Sequence, residues 1–210
     1  LHPQHLGAAH AGGTGAGRRG AACCQLAPLS GASRASCAGS GAEALLDGAG
    51  MVAALAQPSG LSPAGDRLYL ADSESSAIRA VALAPDPRVS TLVGVGLFDF
   101  GDRDGAGDEV RLQHPQGLAW SDGLLYVADT YNHKIKVVDP GTRRAQTFLG
   151  TGEPGRRDGT DPLFYEPGGV AVSGGRLYVA DTNNHAIRIV DLTTKQTLTL
   201  EISGAAHLAV

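Results

Sequence analysis

The chain has 210 residues, of which 18% are charged, and its formal net charge is −4. This balance excludes the basic footprint of a nucleic-acid-binding protein and a polybasic membrane patch. No apolar run approaches the roughly 20 residues that a helix needs to span a bilayer.

The N-terminal stretch, residues 1–36, differs in composition from the rest of the chain. It is rich in Gly and Ala, and residues 1–42 contain neither an acidic nor an aromatic side chain. Such a segment cannot bury enough apolar surface to offset the entropy of ordering, so we predict that it is disordered. A transit peptide and a mistranslated stretch are the alternatives that the composition leaves open.

The cysteines of the chain are Cys23, Cys24 and Cys37, and they do not form a Cys-x-x-Cys motif. The redox motif of a thiol oxidoreductase is therefore not present in this sequence. Their unpaired spacing favours a reducing compartment over a disulfide scaffold.

A segment of the form Tyr-(Val or Leu)-Ala-Asp occurs three times and ends at Asp72, Asp129 and Asp181, at spacings of 57 and 52 residues. Each copy is preceded by Pro-x-Gly and, further upstream, by Asp-Gly and Gly-x-Gly. A period of this length is typical of stacked supersecondary units. We therefore place three repeats within residues 37–202, followed by a short tail at 203–210.

The middle copy shows the strand pattern of one repeat. Apolar or alternating runs predict strands at 117–120, 124–128, 134–139 and 144–149, with a polar turn at 129–132. Asp122-Gly123 supplies the positive φ that a tight hairpin needs. Four antiparallel strands repeated with Gly-rich connectors predict an all-β fold made of propeller blades, with a parallel β-helix as the alternative.

Two tripeptides, Asn132-His133-Lys134 and Asn184-His185-Ala186, resemble the signature of the NHL repeat family, whereas the first copy departs from it with Ser75-Ser76-Ala77. Residues 37–202 are most similar to the C-terminal blades of members that join a thioredoxin-like domain to a six-bladed propeller. The resemblance implies an NHL-type β-propeller that is partial, with about three four-stranded blades, in a chain that is a fragment. It also implies a cytoplasmic location, with the chloroplast thylakoid as the alternative.

The polar residues of the repeat are interpreted as structural. A catalytic residue is needed once, whereas a residue that shapes a turn is needed in every blade. We expect each repeated Asp to accept bonds from the backbone N–H groups of the turn that follows it. No catalytic residue, metal ligand or cofactor is predicted, and His114 is interpreted as structural too. The repeat-signature residues are Asp72, Asp129, Asn132, His133, Asp181, Asn184 and His185.

Two groups of charged residues suggest alternatives to a purely structural reading. An acidic cluster suggests a calcium loop, but the EF-hand register fails, so we expect a solvated connector. Basic residues on the third strands suggest a basic strip at exposed alternate positions. The cluster comprises Asp99, Asp102, Asp104, Asp108 and Glu109, and the strip comprises Lys134, Lys136 and Arg188.

Two classes of function follow from these patterns. The first is a protein-interaction scaffold whose partner is another protein or a thioredoxin-like domain of the same polypeptide. The second is enzymatic, either as part of a thiol–disulfide oxidoreductase or as a metal-dependent propeller lyase. We favour the scaffold, without enzyme activity in this chain and without nucleic acid or membrane partners. Because a partial propeller leaves blade faces and strand edges uncovered, we also expect self-association.

Overall fold

The computed structural model describes residues 38–83 and 86–201, which form three neighbouring antiparallel β-sheets. The fold is all-β, as the sequence predicts, and no closed ring is formed by the described residues. The predictions of disorder for residues 1–36 and of a tail at 203–210 concern segments outside the described residues.

Each sheet contains a four-stranded antiparallel meander, and in the first two sheets a short strand that precedes the meander pairs with its outer strand. The orders are β1-β5-β4-β3-β2, β6-β10-β9-β8-β7 and β11-β12-β13-β14. In the first sheet the strands are β1 Gly48–Ala49, β2 Pro58–Ala64, β3 Arg67–Asp72, β4 Ala77–Ala82 and β5 Arg88–Val93. In the second they are β6 Gly105–Ala106, β7 Pro115–Ser121, β8 Leu124–Asp129, β9 Lys134–Asp139 and β10 Arg144–Leu149. In the third they are β11 Pro167–Ser173, β12 Arg176–Asp181, β13 Ala186–Asp191 and β14 Thr197–Thr199.

The middle sheet confirms most of the predicted strand pattern. Strands β9 and β10 have the predicted bounds, β8 is one residue longer, and β7 extends the predicted 117–120 at both ends. The predicted polar turn contains a 3-10 turn at Thr130–Asn132. A fifth strand of two residues was not predicted. It contains the Gly of Asp-Gly and pairs with the outer strand in the first two sheets.

The hairpin between β7 and β8 has the geometry that its sequence predicts. Asp122 and Gly123 have φ values of 49° and 86°, which are the two positive values of a type I′ turn. The turn brings Ser121 opposite Leu124 and sets the register of the pair. Strand β8 is thereby placed so that its apolar residues enter both neighbouring blade interfaces.

Two apolar layers hold the three sheets together. Between the first and second sheets, Tyr69 and Ile78 pack with Leu125 and Val127. Between the second and third, Ile135 is one of the residues that pack with Leu177, Val179 and Val190 from the third sheet. Each large apolar side chain buried in this way stabilises the stack by about 1.5–3 kcal/mol.

The glycine of Pro-x-Gly allows the inner strands β2, β7 and β11 to approach closely. A Cβ atom at Gly60 would lie 2.3 Å from the carbonyl oxygen of Gln116, and one at Gly117 would lie 2.7 Å from Gly169 Cα. A Cβ at Gly169 would meet only the Ala180 Cβ, at 3.6 Å. The motif therefore recurs because it permits blade-to-blade contact, and in the third copy that contact side is open among the described residues.

Candidate functional site

The repeated aspartates are buried anchors for the segment that enters each blade. Oδ1 of Asp129 accepts a hydrogen bond of 2.7 Å from the backbone N–H of Gln113, which lies 16 residues earlier. Asp72 and Asp181 accept equivalent bonds from Ala56 and Tyr165. The expectation that these carboxylates bind backbone N–H groups of the following turn is wrong. The partner is the connector before the inner strand.

The basic residues of the third strands are also buried, so they do not form an exposed basic strip. Arg188 Nη1 lies 2.7 Å from Asp181 Oδ2 and its Nη2 lies 2.7 Å from Asp158 Oδ1. Arg79 bridges Asp72 and Asp47 in the same way, at 2.8 and 3.0 Å. Alternation fails as a guide here because the entry segment of the same blade covers the third-strand face that carries these cations.

The Asp of Asp-Gly connects this buried cation to the outer strand. Asp158 accepts hydrogen bonds from both the backbone N–H and the hydroxyl of Thr199. Asp104 accepts the same pair from Thr147. Burial opposes ionisation, but the hydrogen bonds from Thr199 and the nearby Arg188 guanidinium hold the pKa of Asp158 below its usual value. Each blade is thus cross-linked from its entry segment to its outer strand.

The middle blade has a different arrangement because its cation is Lys136. Lys136 Nζ lies 2.6 Å from Asp102, 2.7 Å from Asp104 and 3.0 Å from the Thr147 hydroxyl. The buried Asp129 is instead bonded by the side-chain amide of Asn132, at 2.8 Å, and by the Gln113 N–H. Burial raises the pKa of Asp129 to about 7. The two hydrogen bonds and the charge of Lys136 lower the pKa, but burial has the larger effect.

The residues of the acidic cluster are solvent-exposed, as expected for a connector, and two of them also pair with lysines. Asp102 contacts both Lys134 and Lys136, and Asp104 contacts Lys136. Within residues 38–83 and 86–201, no group of three or more His, Cys, Asp or Glu side chains is arranged to hold a metal ion. These carboxylates therefore have a structural use within the second blade.

The asparagine of each Asn-His pair ties the turn to the connector. Asn132 Nδ2 donates to the Gly101 carbonyl at 2.6 Å, and Asn184 Nδ2 donates to the Gly155 carbonyl at 2.7 Å. His133 and His185 follow in the left-handed conformation, with φ values of 54° and 51°. The pair thus lies at the end of a 3-10 turn in both copies.

The same turn also holds the next blade through hydrogen bonds. The sequence did not reveal this contact. The Thr130 hydroxyl donates to the Pro167 carbonyl at 2.9 Å, and the Glu166 N–H donates to His133 Nδ1 at 3.2 Å. One blade earlier, the Ser73 hydroxyl donates to Pro115 and the His114 N–H donates to the Ser76 hydroxyl. We call residues 73–76, 130–133 and 182–185 the clasp turns.

A second feature that the sequence did not reveal is a group of exposed aromatic side chains at the clasp-turn end of the blades. The chain has ten Phe, Tyr and Trp residues, and four of them are exposed in this region: Phe98, Phe100, Tyr131 and Tyr165. Phe98 is 86% exposed and has a left-handed backbone, with φ of 70°. We call these four residues the aromatic face.

Histidines link the aromatic residues across the blades. The His114 ring lies 4.7 Å from that of Tyr131 and 6.5 Å from that of Phe100. The His133 ring packs edge-on against Tyr165 at 5.5 Å. Since Tyr131 and His133 share one clasp turn, the aromatic face extends from the connector before the second blade to the entry of the third.

Stacked antiparallel blades that are joined by their inner strands define a β-propeller-type repeat protein. The NHL repeat family model matches residues 112–138 and 164–190, which contain the inner, second and third strands of the second and third blades. The chain therefore carries NHL repeats.

The curated relatives include NHL repeat-containing protein 2 of Bos taurus, which is 52% identical over 159 residues, covering 68% of this chain and 22% of that protein. Protein SUPPRESSOR OF QUENCHING 1, chloroplastic, of Arabidopsis thaliana is 46% identical over 183 residues, covering 79% of this chain and 17% of that protein. The chain thus spans about a fifth of the length of these relatives.

The fold also resembles a solved structure of low sequence identity. An auxiliary nutrient binding protein from Bacteroides ovatus aligns with a TM-score of 0.55 at 22% identity, covering 65% of this chain and 36% of that one. At this identity the likeness concerns the fold alone. In the part of the chain that the structure describes, no helix has the length and apolarity to cross a membrane.

Proposed function

We propose that this NHL-repeat region is a protein-interaction scaffold that binds its partner through the aromatic face. The observation that carries the proposal is Phe98, a large apolar side chain that is 86% exposed on a left-handed backbone. A strained residue with an exposed aromatic side chain has no use in the packing of the blade, and aromatic residues are typical anchors at protein interfaces.

Acidic side chains border the aromatic face and suggest the chemistry of the partner. Glu74 lies beside His114, at 3.3 Å between Oε2 and Nε2, and Asp99 adjoins both phenylalanines in the sequence. Glu166 is bonded to Asn183 on the same side. The partner segment would present apolar side chains together with Lys or Arg. It belongs to another protein or to a thioredoxin-like domain of the same polypeptide.

Catalysis is not part of the proposal. The polar residues that repeat are engaged in cross-links and clasps, and the carboxylates of Asp72 and Asp181 are fully buried. We propose the cytoplasm as the compartment, with the chloroplast thylakoid as the alternative that the chloroplastic Arabidopsis relative supports.

The test uses site-specific photo-crosslinking followed by affinity measurement. A photoreactive phenylalanine analogue replaces Phe98 in one sample and the exposed Leu83 in a control. Proteins captured only from Phe98 are then produced in pure form and titrated against the wild-type chain. We expect Phe98→Ala combined with Phe100→Ala to weaken binding at least tenfold and Leu83→Ala to leave it unchanged. Equal affinity of the aromatic variant and the wild type would contradict the proposal.

A further inference from the structure

Of the three repeated aspartates, only Asp129 lacks a bond to an arginine within residues 38–83 and 86–201. Asp72 and Asp181 each lie within 2.8 Å of a guanidinium, whereas Lys136, the cation of the middle blade, pairs with two other carboxylates. Asp129 is fully buried, and its blade contacts a described blade on each side. The missing arginine is therefore a property of the middle blade itself.

The carboxylate of Asp129 connects two segments that carry the aromatic face. Its Oδ1 accepts a hydrogen bond from the Gln113 N–H at 2.7 Å, and its Oδ2 accepts one from Asn132 Nδ2 at 2.8 Å. The same Nδ2 also donates to the carbonyl of Gly101 at 2.6 Å, and Phe100 directly precedes this glycine. Asn132 thus links the buried carboxylate to the connector that carries the exposed phenylalanines.

A proton on Asp129 is incompatible with this pair of bonds. An ionised carboxylate only accepts hydrogen bonds, whereas a protonated one also donates through its O–H. Oδ1 faces the backbone N–H of Gln113, which cannot reverse its direction, so the proton belongs on Oδ2. There it meets Asn132 Nδ2, which is a donor too, and the amide must rotate to present its oxygen. That rotation withdraws Nδ2 from the Gly101 carbonyl.

Both forms of Asp129 are populated near neutral pH, because burial raises the pKa of this carboxyl to about 7. The charge of Lys136 favours the ionised form, and the charge of Asp102 opposes it. Lys134 lies opposite Asp129 on the neighbouring strand. The other charged or titratable groups that bond to this network or adjoin it in the sequence are Glu74, Asp104, His114, His133 and Glu166.

We propose that proton uptake by Asp129 moves the connector that carries Phe98 and Phe100, so that the aromatic face has two arrangements. In the ionised form Asn132 holds the Gly101 carbonyl, and in the protonated form it releases that carbonyl. The coupling is a property of the free chain. Only its consequence, a partner affinity that changes near neutral pH, rests on the function proposed above.

Fluorine NMR of the full 210-residue chain tests the coupling without any partner, so its outcome is separate from that of the cross-linking experiment. A para-fluorophenylalanine is placed at Phe100 alone, and the signal is followed across neutral pH. We expect it to shift with a midpoint at about pH 7. The same label at Phe148, which packs against Tyr126 in the second blade, should not shift.

Two substitutions identify the group that titrates. Asp129→Asn carries an amide in place of the protonated carboxyl, so its signal should stay at the low-pH position throughout. Imidazoles also change charge near neutrality, so His114→Gln is the matched control and should keep the titration. Glutamine suits this position, because the repeat counterpart Gln57 has the same left-handed backbone, with φ of 56° against 48°.

A third substitution separates movement of the connector from the direct effect of a nearby charge on the fluorine. Asn132→Ser places at this position the residue that the first clasp turn has there, Ser75. The serine side chain is too short to bridge the carboxylate and Gly101. The carboxyl carbon signal of Asp129 should still titrate in this variant, while the fluorine signal should lose most of its shift.

Lys136→Arg is the arm that does not alter Asp129 or Asn132. It supplies the guanidinium that the other two blades have, and it should lower the midpoint by about one pH unit or more. A fluorine signal that does not titrate in the wild type, or that titrates equally in Asp129→Asn or Asn132→Ser, would overturn the inference. Loss of the titration in His114→Gln, or an unchanged midpoint in Lys136→Arg, would overturn it as well.

Discussion

His133 Nδ1 accepts a hydrogen bond of 3.2 Å from the backbone N–H of Glu166, so an imidazole from one blade holds the entry of the next. Its repeat counterpart His185 occupies the same left-handed position at the third clasp turn. The two histidines therefore share a conformation but differ in whether a described blade lies beyond them. This difference makes one the control for the other.

We expect His133→Ala to lower the free energy of unfolding by about 1–2 kcal/mol, because the Glu166 N–H loses its acceptor and the left-handed backbone position favours Ala no more than His. His185→Ala should change it by less than about 0.5 kcal/mol, the usual range for a surface substitution. Both are measured by urea denaturation. Equal losses in the two variants would show that the clasp bond adds nothing.

A methyl group at Gly117 tests the close approach of the inner strands. The added Cβ would lie 2.7 Å from Gly169 Cα, so Gly117→Ala must push two backbones apart and should cost roughly 1–3 kcal/mol or more. Gly169→Ala, with an ordinary contact of 3.6 Å, should leave the thermal midpoint of the chain within a few degrees of wild type. If both variants melt alike, blade spacing does not depend on the motif.

The raised pKa of Asp129 predicts a stability profile that falls as pH rises. Since burial raises the pKa to about 7 in the folded state from 3.8, the folded chain binds more protons between about pH 4 and 7. The contribution of this group to the free energy of unfolding must then decrease across that window, by a few kcal/mol. In Asp129→Asn this slope should be much smaller, and the remainder comes from Asp72, whose pKa burial also raises. Denaturant titrations at several pH values measure it, and identical slopes would rule out the assignment to Asp129.

The carboxylates of the Asp-Gly motifs titrate in a different pH window. Asp47, Asp104 and Asp158 have a lowered pKa, which results from threonine hydrogen bonds and a buried cation acting against burial. Their stabilising contribution is present above the unfolded pKa and is lost only as pH falls below about 4. Their titration therefore does not account for a slope above pH 4, to which the buried Asp129 and Asp72 contribute because burial raises the pKa of both.

We expect Lys136→Arg to stabilise the chain at pH 7, because an arginine at this position reaches both carboxylates in the other two blades. A new bond to Asp129 should lower the pKa of that carboxyl and raise the free energy of unfolding by about 1–3 kcal/mol. Lys134→Arg, beside it on the same strand, is the control and should have little effect. The pH slope of the wild type should also become smaller in this variant, and an unchanged slope would mean that no bond to Asp129 forms.

The blade pattern could be predicted from the sequence because it depends on local signals. Alternation, the Asp122-Gly123 hairpin and the repeated tetrapeptide ending at Asp129 specify strands and turns within one unit. The buried cations could not be predicted in this way. Lys136 lies on a strand of mixed polarity that reads as half exposed, and its partner Asp104 is 32 residues earlier.

A signal for this network was nevertheless present in the sequence. The Asp of Asp-Gly precedes the third-strand cation by 32 residues in the first two blades and by 30 in the third, as Asp158 and Arg188 show. Opposite charges at a nearly constant separation in successive repeats indicate a paired contact. The aromatic face has no such signal, because Phe98 and Phe100 lie in a connector whose sequence is not repeated before the third blade.

The span of the hydrogen bonds has a consequence for how the protein is made. Among the described residues, the hydrogen bond with the largest sequence separation joins Trp120 and Ser62, which are 58 residues apart. Every blade therefore meets only its predecessor and successor, as in other linear repeat proteins. A blade can complete its buried cross-link as soon as its own outer strand has left the ribosome, and the first clasp turn then waits only for the next proline to be synthesised.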